Sequence, residues 1–460
     1  MTGLSVVSGL RAVREMAAFV ADPLMASRKI EKRFGPAVAL TMGSKRLLFH
    51  FTRHEFAEDV LRHHKRFYSG PIIVRGKTGC PHNALRHNFL NANGKEYDHY
   101  VKLFGPLFKR KTFDAAAKTI FETVNEELDQ WQTGQTIEMT TALARLSKLM
   151  ALRALYLDDE TATGLRAADL IEQHGRLSAL SPRAFVWALS GYAKSNRLSR
   201  HAEKTHAAIC AWGEMHRGMP NDHDVMAAIV NAPDETGAPA DDDRIAGYGW
   251  MMLGAAFDTS SSALCWLLVF LALHPDVAVR LHDELRTADV DIETDMAGLM
   301  RLPYLDAVVN EAMRLVPPVP FQRRRAMAHM PVGGIIVPRR AHVYVSGWMV
   351  NRDERLYPQP DSFRPERWET INPTPYQWLP FSAGPRRCLG IWFGYGFVKA
   401  ALAAILMRWR PQIPDGTKIG MKVAITVRPV PGLPVLLHPQ DQQFRKAKLR
   451  GNFLKVLQLT

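Results

Sequence analysis

One stretch near the C-terminus constrains the fold most strongly: a loop over residues 381–390, rich in Gly and Pro, that carries Cys388. The segment that follows, residues 391–407, is largely apolar, so the sequence predicts a loop that leads into a buried helix. A helix N-terminus carries partial positive charge and free N–H groups, and Arg386 and Arg387 add charge beside the thiol. We therefore expect a thiol that ionises easily and suits one axial bond to a metal.

Two glycines of this loop, Gly384 and Gly390, allow the backbone to take positive φ or to approach a flat partner closely. The alternative for Cys388 is a buried structural cysteine, which is the usual role of a single cysteine. The pattern around the thiol decides between the two interpretations.

That pattern matches the haem-binding signature of the cytochrome P-450 superfamily at every fixed position. The matching residues are Phe381, Gly384, Arg386, Cys388 and Gly390. The chain thus resembles the haem-thiolate monooxygenases. The resemblance implies haem b with the Cys388 thiolate as its proximal iron ligand, which favours O–O cleavage. Arg386 would pair with a haem propionate, because a guanidinium binds a carboxylate through two hydrogen bonds.

The resemblance also implies a fold that is mainly α with small β-sheets. Its motifs occur in the family's order over about residues 37–396. No internal repeat, low-complexity tract or linker divides the sequence. We therefore predict a single domain over residues 1–460.

Lysine and arginine number 59 against 45 acidic residues, which gives a net charge of +14. Such a balance indicates acidic partners or surfaces, and nucleic acid is the first class to weigh. The sequence has no zinc finger, basic zipper or aromatic–basic strand motif, so we predict no nucleic-acid partner. An acidic protein or an anionic membrane surface fits better.

The cysteines have neither zinc-site spacing nor the density of a disulfide scaffold, which indicates a reducing, cytoplasmic location. They are Cys80, Cys210, Cys265 and Cys388. Residues 1–23 are amphipathic, with charges that interrupt every apolar run, and the apolar stretch 250–273 contains Asp258. We therefore predict no transmembrane segment, while peripheral contact with a membrane remains an alternative.

Hydrophobic periodicity and turn residues predict helices and a few short strands. The predicted helices cover residues 4–34, 54–67, 94–113, 250–273, 277–286 and 304–315, and the predicted strands are a hairpin over 37–51 and the segments 332–336 and 342–346. By resemblance, the irregular stretch 69–93 closes over the substrate and residues 178–196 form a mobile lid.

Glu311 and Arg314 lie three residues apart and therefore share one helix face. A surface ion pair is the simplest interpretation of this pattern. The resemblance implies instead that both residues join Arg367, from the segment 363–368, in a buried network that fixes the cysteine loop. This role is structural.

Asp258 and Thr259 place an acid and a hydroxyl inside an apolar helix, which is costly unless they serve a purpose. One alternative is that Thr259 bonds back to the carbonyl of Ala255 or Ala256. The resemblance implies that the pair delivers the two protons that dioxygen activation requires. The family usually has glycine where Ala256 stands.

Further cofactor contacts follow from the resemblance. Arg324, within the run 323–325, takes the place of the family's propionate arginine. Tyr97 stands where the family often has Trp or His, and Val101 replaces the arginine four residues later. Lys102 is the predicted substitute, with His99 as the alternative.

The resemblance places four apolar residues in the substrate pocket, namely Leu253, Ala256, Val316 and Val319. It implies insertion of one oxygen atom from O2 into a hydrophobic substrate such as a terpenoid, steroid or fatty acid. Electrons would come from an acidic ferredoxin or flavodoxin with its reductase, docked on basic residues near the cysteine. These residues are Lys102, Lys109, Arg110, Lys111 and Arg387. The alternatives are peroxide-driven oxidation, oxidative coupling or desaturation, and a non-catalytic haem-binding sensor.

Overall fold

The computed structural model describes residues 3–42, 46–70, 81–158, 162–178, 196–220 and 223–458. These residues form mainly helices with small β-sheets, which confirms the predicted fold class. The described α-helices are α1 Gly9–Ala21, α2 Pro23–Phe34, α3 His54–Arg62, α4 Pro81–Ala84, α5 Gly94–Phe104, α6 Arg110–Ala115, α7 Ala117–Leu128, α8 Met139–Tyr156, α9 Ala162–Ser178, α10 Asn196–Met215, α11 Val225–Asn231, α12 Asp242–Leu273, α13 Pro275–Thr287, α14 Met296–Leu299, α15 Pro303–Leu315, α16 Gly347–Val350, α17 Ile391–Arg408 and α18 Asn452–Leu457.

The described strands are short and lie in four sheets. They are β1 Ser5–Val7, β2 Ala37–Met42, β3 Arg46–Phe51, β4 Phe67–Ser69, β5 Thr136–Glu138, β6 Phe321–Ala326, β7 Met330–Val332, β8 Ile335–Val337, β9 His342–Ser346, β10 Trp409–Gln412, β11 Gly420–Val423, β12 Val427–Val430 and β13 Pro434–Pro439.

The long helix α12 runs through the core and packs against α8, α9, α10 and α17. Its sequence is apolar all round, which is typical of a helix enclosed by other elements. Asp241 caps its start by accepting a hydrogen bond from the backbone N–H of Arg244 at 2.8 Å. It ends at Leu273, before His274 and Pro275, as predicted.

The largest sheet joins two distant parts of the chain, in the strand order β1-β2-β3-β9-β6-β4. The predicted hairpin is present, since β2 and β3 pair antiparallel with Ala37 opposite Phe51. The glycine at position 43 predicts the turn of this hairpin, but Gly43 lies outside the described residues. Strand β9 covers the predicted segment 342–346 and pairs with both β3 and β6.

The other sheets are small: β10, β13 and β5 form one, and the hairpins β11–β12 and β7–β8 form two more. The prediction of one strand over residues 332–336 is wrong. The chain turns there at Gly333 and Gly334, whose φ angles of 56° and 80° only glycine adopts readily. The segment is therefore a hairpin.

Three predicted helices are shorter than expected. The prediction over residues 4–34 is interrupted because Asp22 caps a second helix, α2, that begins at Pro23. The helix predicted over 54–67 ends at Arg62, and the helix predicted over 94–113 is divided by a 3-10 turn, Gly105–Phe108.

Two helices, α12 and α17, are long and apolar enough to cross a membrane, with mean hydropathies of 1.6 and 1.3. In the fold, 83% and 67% of these segments are buried against other parts of the protein. Such burial is usual for core helices, so these segments are weak evidence for a membrane span. The predicted lid over 178–196 lies almost entirely outside the described residues.

Candidate active site

Cys388 lies between a 3-10 turn, Gly384–Arg386, and the start of α17. Its backbone N–H donates to the carbonyl of Phe381 at 2.9 Å, which closes the loop. The residue lies deep inside the protein, yet its side chain keeps accessible surface. A thiol that lines an internal cleft has both of these properties.

The expectation that Cys388 ionises easily is wrong for the free thiol. Burial raises the pKa of Cys388, and this effect outweighs the hydrogen bond from the Gly390 N–H and the nearby charge of Arg387. The reason is that the many surrounding protein atoms disfavour the charged thiolate by more than one N–H group and one guanidinium stabilise it.

The loop is held from both sides by packing. The ring of Phe381 lies 5.1 Å from that of Tyr395 and 5.9 Å from that of Trp378. Gly384 has φ +70°, and a Cβ there would lie 2.5 Å from the carbonyl oxygen of Leu61 at the end of α3. Gly390 has φ −83°, so the expected positive φ occurs at Gly384 but not at Gly390.

Arg386 joins the loop to the start of α5. Its guanidinium lies 3.8 Å from the centre of the Tyr97 ring. It donates to the carbonyl of Ala92 at 2.6 Å and to Oδ1 of Asn93 at 2.8 Å. The Tyr97 hydroxyl donates to the carbonyl of Pro385 at 2.9 Å. Tyr97 and Arg386 are thus brought together, whereas the contribution of Asn93 had no sequence signal.

Arg324 is the second arginine at this place. Burial and, to a smaller extent, the neighbouring charge of Arg386 lower the pKa of Arg324 to about 10. Arg324 donates to the carbonyl of Arg323 at 2.9 Å, and no carboxylate among the described residues forms an ion pair with Arg324 or Arg386. Buried guanidinium groups normally have acidic partners. Two adjacent ones without an ion pair fit the two propionates of haem.

His64 also lies in this cluster, with its ring 5.9 Å from that of Tyr97. Burial lowers the pKa of His64, and Arg386 lowers it further, although Asp98 opposes this. His64 has no signal in the sequence, because a lone histidine within the predicted helix 54–67 carries no motif.

Lys102 is not part of the cluster. It is exposed on α5, and at about 100° per residue it lies about 140° around the helix from Tyr97. His99, the alternative, contacts the backbone carbonyl of Pro233 at 3.0 Å. Neither side chain is brought to Arg324 or Arg386.

The carboxylate of Glu311 is fully enclosed and accepts hydrogen bonds from every side. Arg314 donates to both of its oxygens at 2.8 and 2.9 Å. Arg367 donates at 2.9 Å, Trp368 at 3.1 Å and the backbone N–H of Arg364 at 2.9 Å. Burial raises the pKa of Glu311, but the two guanidinium groups and the N–H outweigh it and hold the pKa below its ordinary value.

This network reaches the cysteine loop through the backbone. Arg314 donates to the carbonyl of Asn351 at 2.9 Å. The side-chain oxygen of Asn351 accepts from the N–H of Leu379 at 2.9 Å, two residues before Phe381. The structure therefore brings the three predicted network residues together and connects them to the loop that carries Cys388.

The middle of α12 borders open space, although residues 244–253 and 260–271 on either side of it are buried. Ala255 is exposed there. The half-exposed neighbours are Gly254, Ala256, Asp258 and Thr259. The hydroxyl of Thr259 donates to the carbonyl of Ala255 at 2.9 Å, which is the back-bonded arrangement weighed as an alternative.

The carboxylate of Asp258 has other partners. Its Oδ2 accepts from the hydroxyl of Thr426 at 2.9 Å, and its Oδ1 is in close contact with Nη2 of Arg428 on β12. No hydrogen bond joins the described side chains of Asp258 and Thr259. The structure therefore places both residues beside the cleft without connecting them.

The predicted pocket residues fall into two pairs. Ala256 and Val319 are half-exposed. Leu253 and Val316 are enclosed by neighbouring side chains and present almost no surface. Only the first pair borders open space within the described structure.

A family sequence profile described as cytochrome P-450 matches residues 166–433. Cytochrome P-450 3A56 of Fundulus heteroclitus is 30% identical over 222 residues, which cover 46% of this chain and 45% of that protein. The matched region thus spans less than half the length of this relative. Cyclooctatin synthase of Streptomyces melanosporofaciens is 26% identical over 381 residues, which cover 79% of this chain and 81% of that protein.

A solved structure described as retinoic acid bound cyanobacterial CYP120A1 has a TM-score of 0.77 to this fold. The likeness covers 91% of this chain and 95% of that one at 20% sequence identity, and it therefore shows the fold. The family holds haem b through a cysteine thiolate and consists of oxidoreductases. With the family profile matched over more than half of its length, this chain belongs to the cytochrome P-450 family.

Proposed function

We propose that the chain is a haem-thiolate monooxygenase that inserts one atom of dioxygen into a hydrophobic organic molecule, with Cys388 as the iron ligand. The observation that carries the proposal is the thiol of Cys388, which keeps accessible surface deep inside the protein and lies in the loop anchored by Glu311. A structural cysteine would be packed against side chains instead.

Arg324, Arg386 and Tyr97 are the residues that would hold the haem carboxylates. Phe381 and Gly384 would keep the cysteine loop in place, through the ring contacts with Trp378 and the close approach to α3. When bound, haem supplies the redox chemistry that activates dioxygen, which no amino-acid side chain provides.

We assign the movement of protons to Thr259 and Asp258. Thr259 lies at the accessible middle of α12, and while its hydroxyl donates to Ala255, its oxygen can accept a hydrogen bond from water. Asp258 is the adjacent titratable group and is half-exposed. An acid and a hydroxyl at neighbouring positions can pass a proton from solvent into the cleft.

The substrate class that we propose is a terpenoid, a steroid or a fatty acid. The half-exposed Ala256 and Val319 are apolar and suit hydrocarbon. Retinoic acid is bound in the solved relative, and one of the sequence relatives is a lithocholate 6-beta-hydroxylase. Both molecules are large and apolar and end in a carboxylate.

We propose an acidic ferredoxin or flavodoxin, with its reductase, as the source of electrons. Lys109, Arg110 and Lys111 are exposed. The guanidinium of Arg110 lies 5.3 Å from the ring centre of Trp392, four residues after Cys388, so this cluster borders the cysteine side of the site. Complementary charge speeds the encounter of such partners.

We further infer one domain over residues 1–460 and a cytoplasmic location. The six-stranded sheet combines strands near the N-terminus with β6 and β9, which supports a single domain. Within the described part of the chain, the two helices apolar enough to cross a membrane pack mostly inside the protein, which supports a location away from the bilayer core.

The proposal is tested with the haem-loaded protein, a ferredoxin system and isotopically labelled dioxygen. Terpenoids, steroids and fatty acids are first screened for a spectral shift of the ferric haem. We expect products of the hits to contain one labelled oxygen atom. Products labelled from water, or tight binding without any product, would contradict a monooxygenase and favour the sensor alternative.

A further inference from the structure

One guanidinium, that of Arg428, binds two carboxylates on two different helices. Its Nη2 is in close contact with Oδ1 of Asp258 on α12, and its Nη1 donates to Oε1 of Glu172 on α9 at 2.9 Å. Its Nε approaches the hydroxyl of Thr426 at 3.4 Å. Arg428 therefore links the carboxylates of Asp258 and Glu172, and we call this arrangement the Arg428 bridge.

Among the described residues, Glu172 has more positively charged partners than Asp258 has. Its Oε2 accepts from Nζ of Lys148 on α8 at 2.7 Å, and its Oε1 also accepts from Arg176 at 2.5 Å. Burial raises the pKa of Glu172, but Lys148, Arg428 and Arg176 outweigh it and lower the pKa to about 2. Glu172 is thus anionic at neutral pH and always available to Arg428.

Lys148 completes the group by donating to Asp169 at 2.7 Å. The charged groups that face Arg428 and its partners come from α8, α9, α12 and β12. They are Lys148, Asp169, Glu172, Arg176, Asp258 and Arg428. Among the described residues of this group, three are positively and three negatively charged, and a movement of the arginine between its two acids leaves that count unchanged.

Asp258 cannot serve as a proton carrier while both of its oxygens are occupied. A carboxylate paired with a guanidinium binds protons weakly, because protonation would sacrifice the ion pair. The exposed fraction is 16% for the side chain of Asp258 and 24% for that of Arg428, so solvent reaches both. A shift of Arg428 onto Glu172 would free Oδ1 of Asp258 for a proton from water.

We propose that Arg428 is a positioning residue that divides its hydrogen bonds between Asp258 and Glu172 and thereby sets when Asp258 takes up a proton. This inference rests on the proposed function and adds a control element to it. In the step, Nη2 leaves Asp258 while Nη1 stays with Glu172, and Arg428 remains cationic. Asp258 binds one proton from water, which it then passes toward the Thr259 hydroxyl.

Because Glu172 lies on α9 and Asp258 on α12, the relative position of these two helices sets the division of the guanidinium. A displacement that brings Glu172 closer to Arg428 frees Asp258, and one that separates them returns Arg428 to Asp258. Proton uptake is therefore coupled to the packing of α9 against α12.

The direct test is infrared titration of the Asp258 carboxyl in the haem-loaded protein, with Asp258→Asn as the background. We expect Arg428→Gln to move the midpoint of protonation to higher pH, because the guanidinium is gone. Glu172→Gln should move it to lower pH, because Arg428 then serves Asp258 alone. The double variant should match Arg428→Gln, since without the guanidinium there is nothing to divide.

Two controls separate this effect from general damage. Asp169→Asn removes the other partner of Lys148 without touching Arg428 and should leave the midpoint unchanged. Arg153→Gln removes an arginine of the same 24% exposure that pairs with Glu126, far from Asp258 in sequence, and should do the same. A midpoint that ignores Glu172→Gln, or a double variant that differs from Arg428→Gln, overturns the proposal.

Turnover gives a second readout. Glu172→Gln should lower kcat several-fold and raise its solvent isotope effect, while the substrate spectral Kd stays constant. Arg428→Lys, which keeps the charge but has one donor group, should lie between wild type and Arg428→Gln. If the titration behaves as expected and no variant or wild type turns over, the monooxygenase proposal fails and the Arg428 bridge stands.

Discussion

Glu311 and Asp258 are both carboxylates paired with arginine, yet their surroundings differ. Glu311 is fully enclosed and accepts from two guanidinium groups, an indole and a backbone N–H. Asp258 is half-exposed and accepts from one hydroxyl and one guanidinium that also serves another acid. A fully satisfied buried group can only stay in place, whereas a shared and hydrated one can rearrange.

We infer that the two sides of the cleft have different tasks. The fixed side is the Glu311 network with the Cys388 loop, and the exchangeable side is Asp258 with its contacts. The network around Glu311 fixes the loop that carries Cys388, through Asn351 and Leu379. The contacts of Asp258 join α12, α9 and β12, and we propose that they are exchanged. The fixed side suits an iron ligand, and the exchangeable side suits proton movement.

The largest expected effect breaks the fixed side. Glu311→Gln keeps the shape of the side chain but leaves two buried guanidinium groups without a counter-charge. We expect a loss of about 3–5 kcal/mol in the free energy of unfolding, together with low haem content. Denaturant unfolding and pigment quantification measure the two.

Glu369→Gln is the matched control, because Glu369 pairs with Arg280 at 2.9 Å on the surface. An exposed pair of this kind contributes about 0–1 kcal/mol. Equal losses for the two variants would remove the basis for treating the Glu311 network as an anchor.

A smaller effect concerns the loop itself. Gly384→Ala places a Cβ 2.5 Å from the carbonyl oxygen of Leu61 at φ +70°, so we expect a loss of about 1–3 kcal/mol and of bound haem. Gly390→Ala is the control, since its nearest neighbour would be Phe108 at 3.6 Å with an ordinary φ. Melting curves and haem content of both variants measure these effects. Equal behaviour of the two variants would contradict a rigid loop held at Gly384.

The next prediction compares how the stability of the α9 region and that of the Glu311 network depend on pH. Burial lowers the pKa of His174, on α9, from 6.5 to about 3, so the unfolded chain binds its proton first. This contribution to stability is complete above pH 6.5 and is lost as pH falls toward 3. The stability that the lowered pKa of Glu311 contributes is lost only below pH 4.5. As pH falls, the contribution of His174 on α9 should therefore be lost first.

We therefore expect His174→Phe to reduce the stability difference between pH 7.5 and pH 5.5 by about 1–1.5 kcal/mol. Urea unfolding at the two pH values measures this difference. His99→Phe is the control, because His99 lies partly exposed on α5 and contacts the backbone carbonyl of Pro233. A pH dependence that survives unchanged in His174→Phe would show that this histidine is not buried as a neutral group.

The smallest expected effect concerns electron entry on the fixed side. Lys109→Glu with Lys111→Glu should slow reduction by an acidic ferredoxin several-fold at low salt, and added salt should erase the difference, because screening acts over about 8–10 Å. Arg339→Glu, an exposed charge of the sheet region, is the control. Reduction rates indifferent to both salt and the Lys109 and Lys111 substitutions would place the docking site elsewhere.

Local sequence patterns predicted the parts of this molecule that are local in structure. The helix that ends before Pro275, the hairpin of β2 and β3 and the cysteine loop before α17 follow from periodicity, proline and glycine. The helix over 4–34 was mispredicted because Asp22 and Pro23 start a new helix within an amphipathic run.

Long-range partners could not be predicted in the same way. Arg428 lies 170 residues from Asp258, and Glu172 lies on a different helix from Asp258. No spacing in the sequence therefore predicts that the three residues are in contact. The charge of Lys102 and its position one residue after Val101 predict a haem contact, but the helix turns its side chain to solvent. The free thiol of Cys388 was expected to ionise easily because the sequence shows neighbouring charges but not the cost of burial.

The central claim is that Cys388 holds haem as a thiolate on the fixed side of the cleft. The most direct test is the absorption spectrum of the reduced, carbon monoxide-bound protein. The account predicts the red-shifted Soret band of thiolate ligation in the wild type and in Cys210→Ala and Cys265→Ala, and its loss in Cys388→Ala. A band that persists in Cys388→Ala, or that disappears with another cysteine, would contradict it.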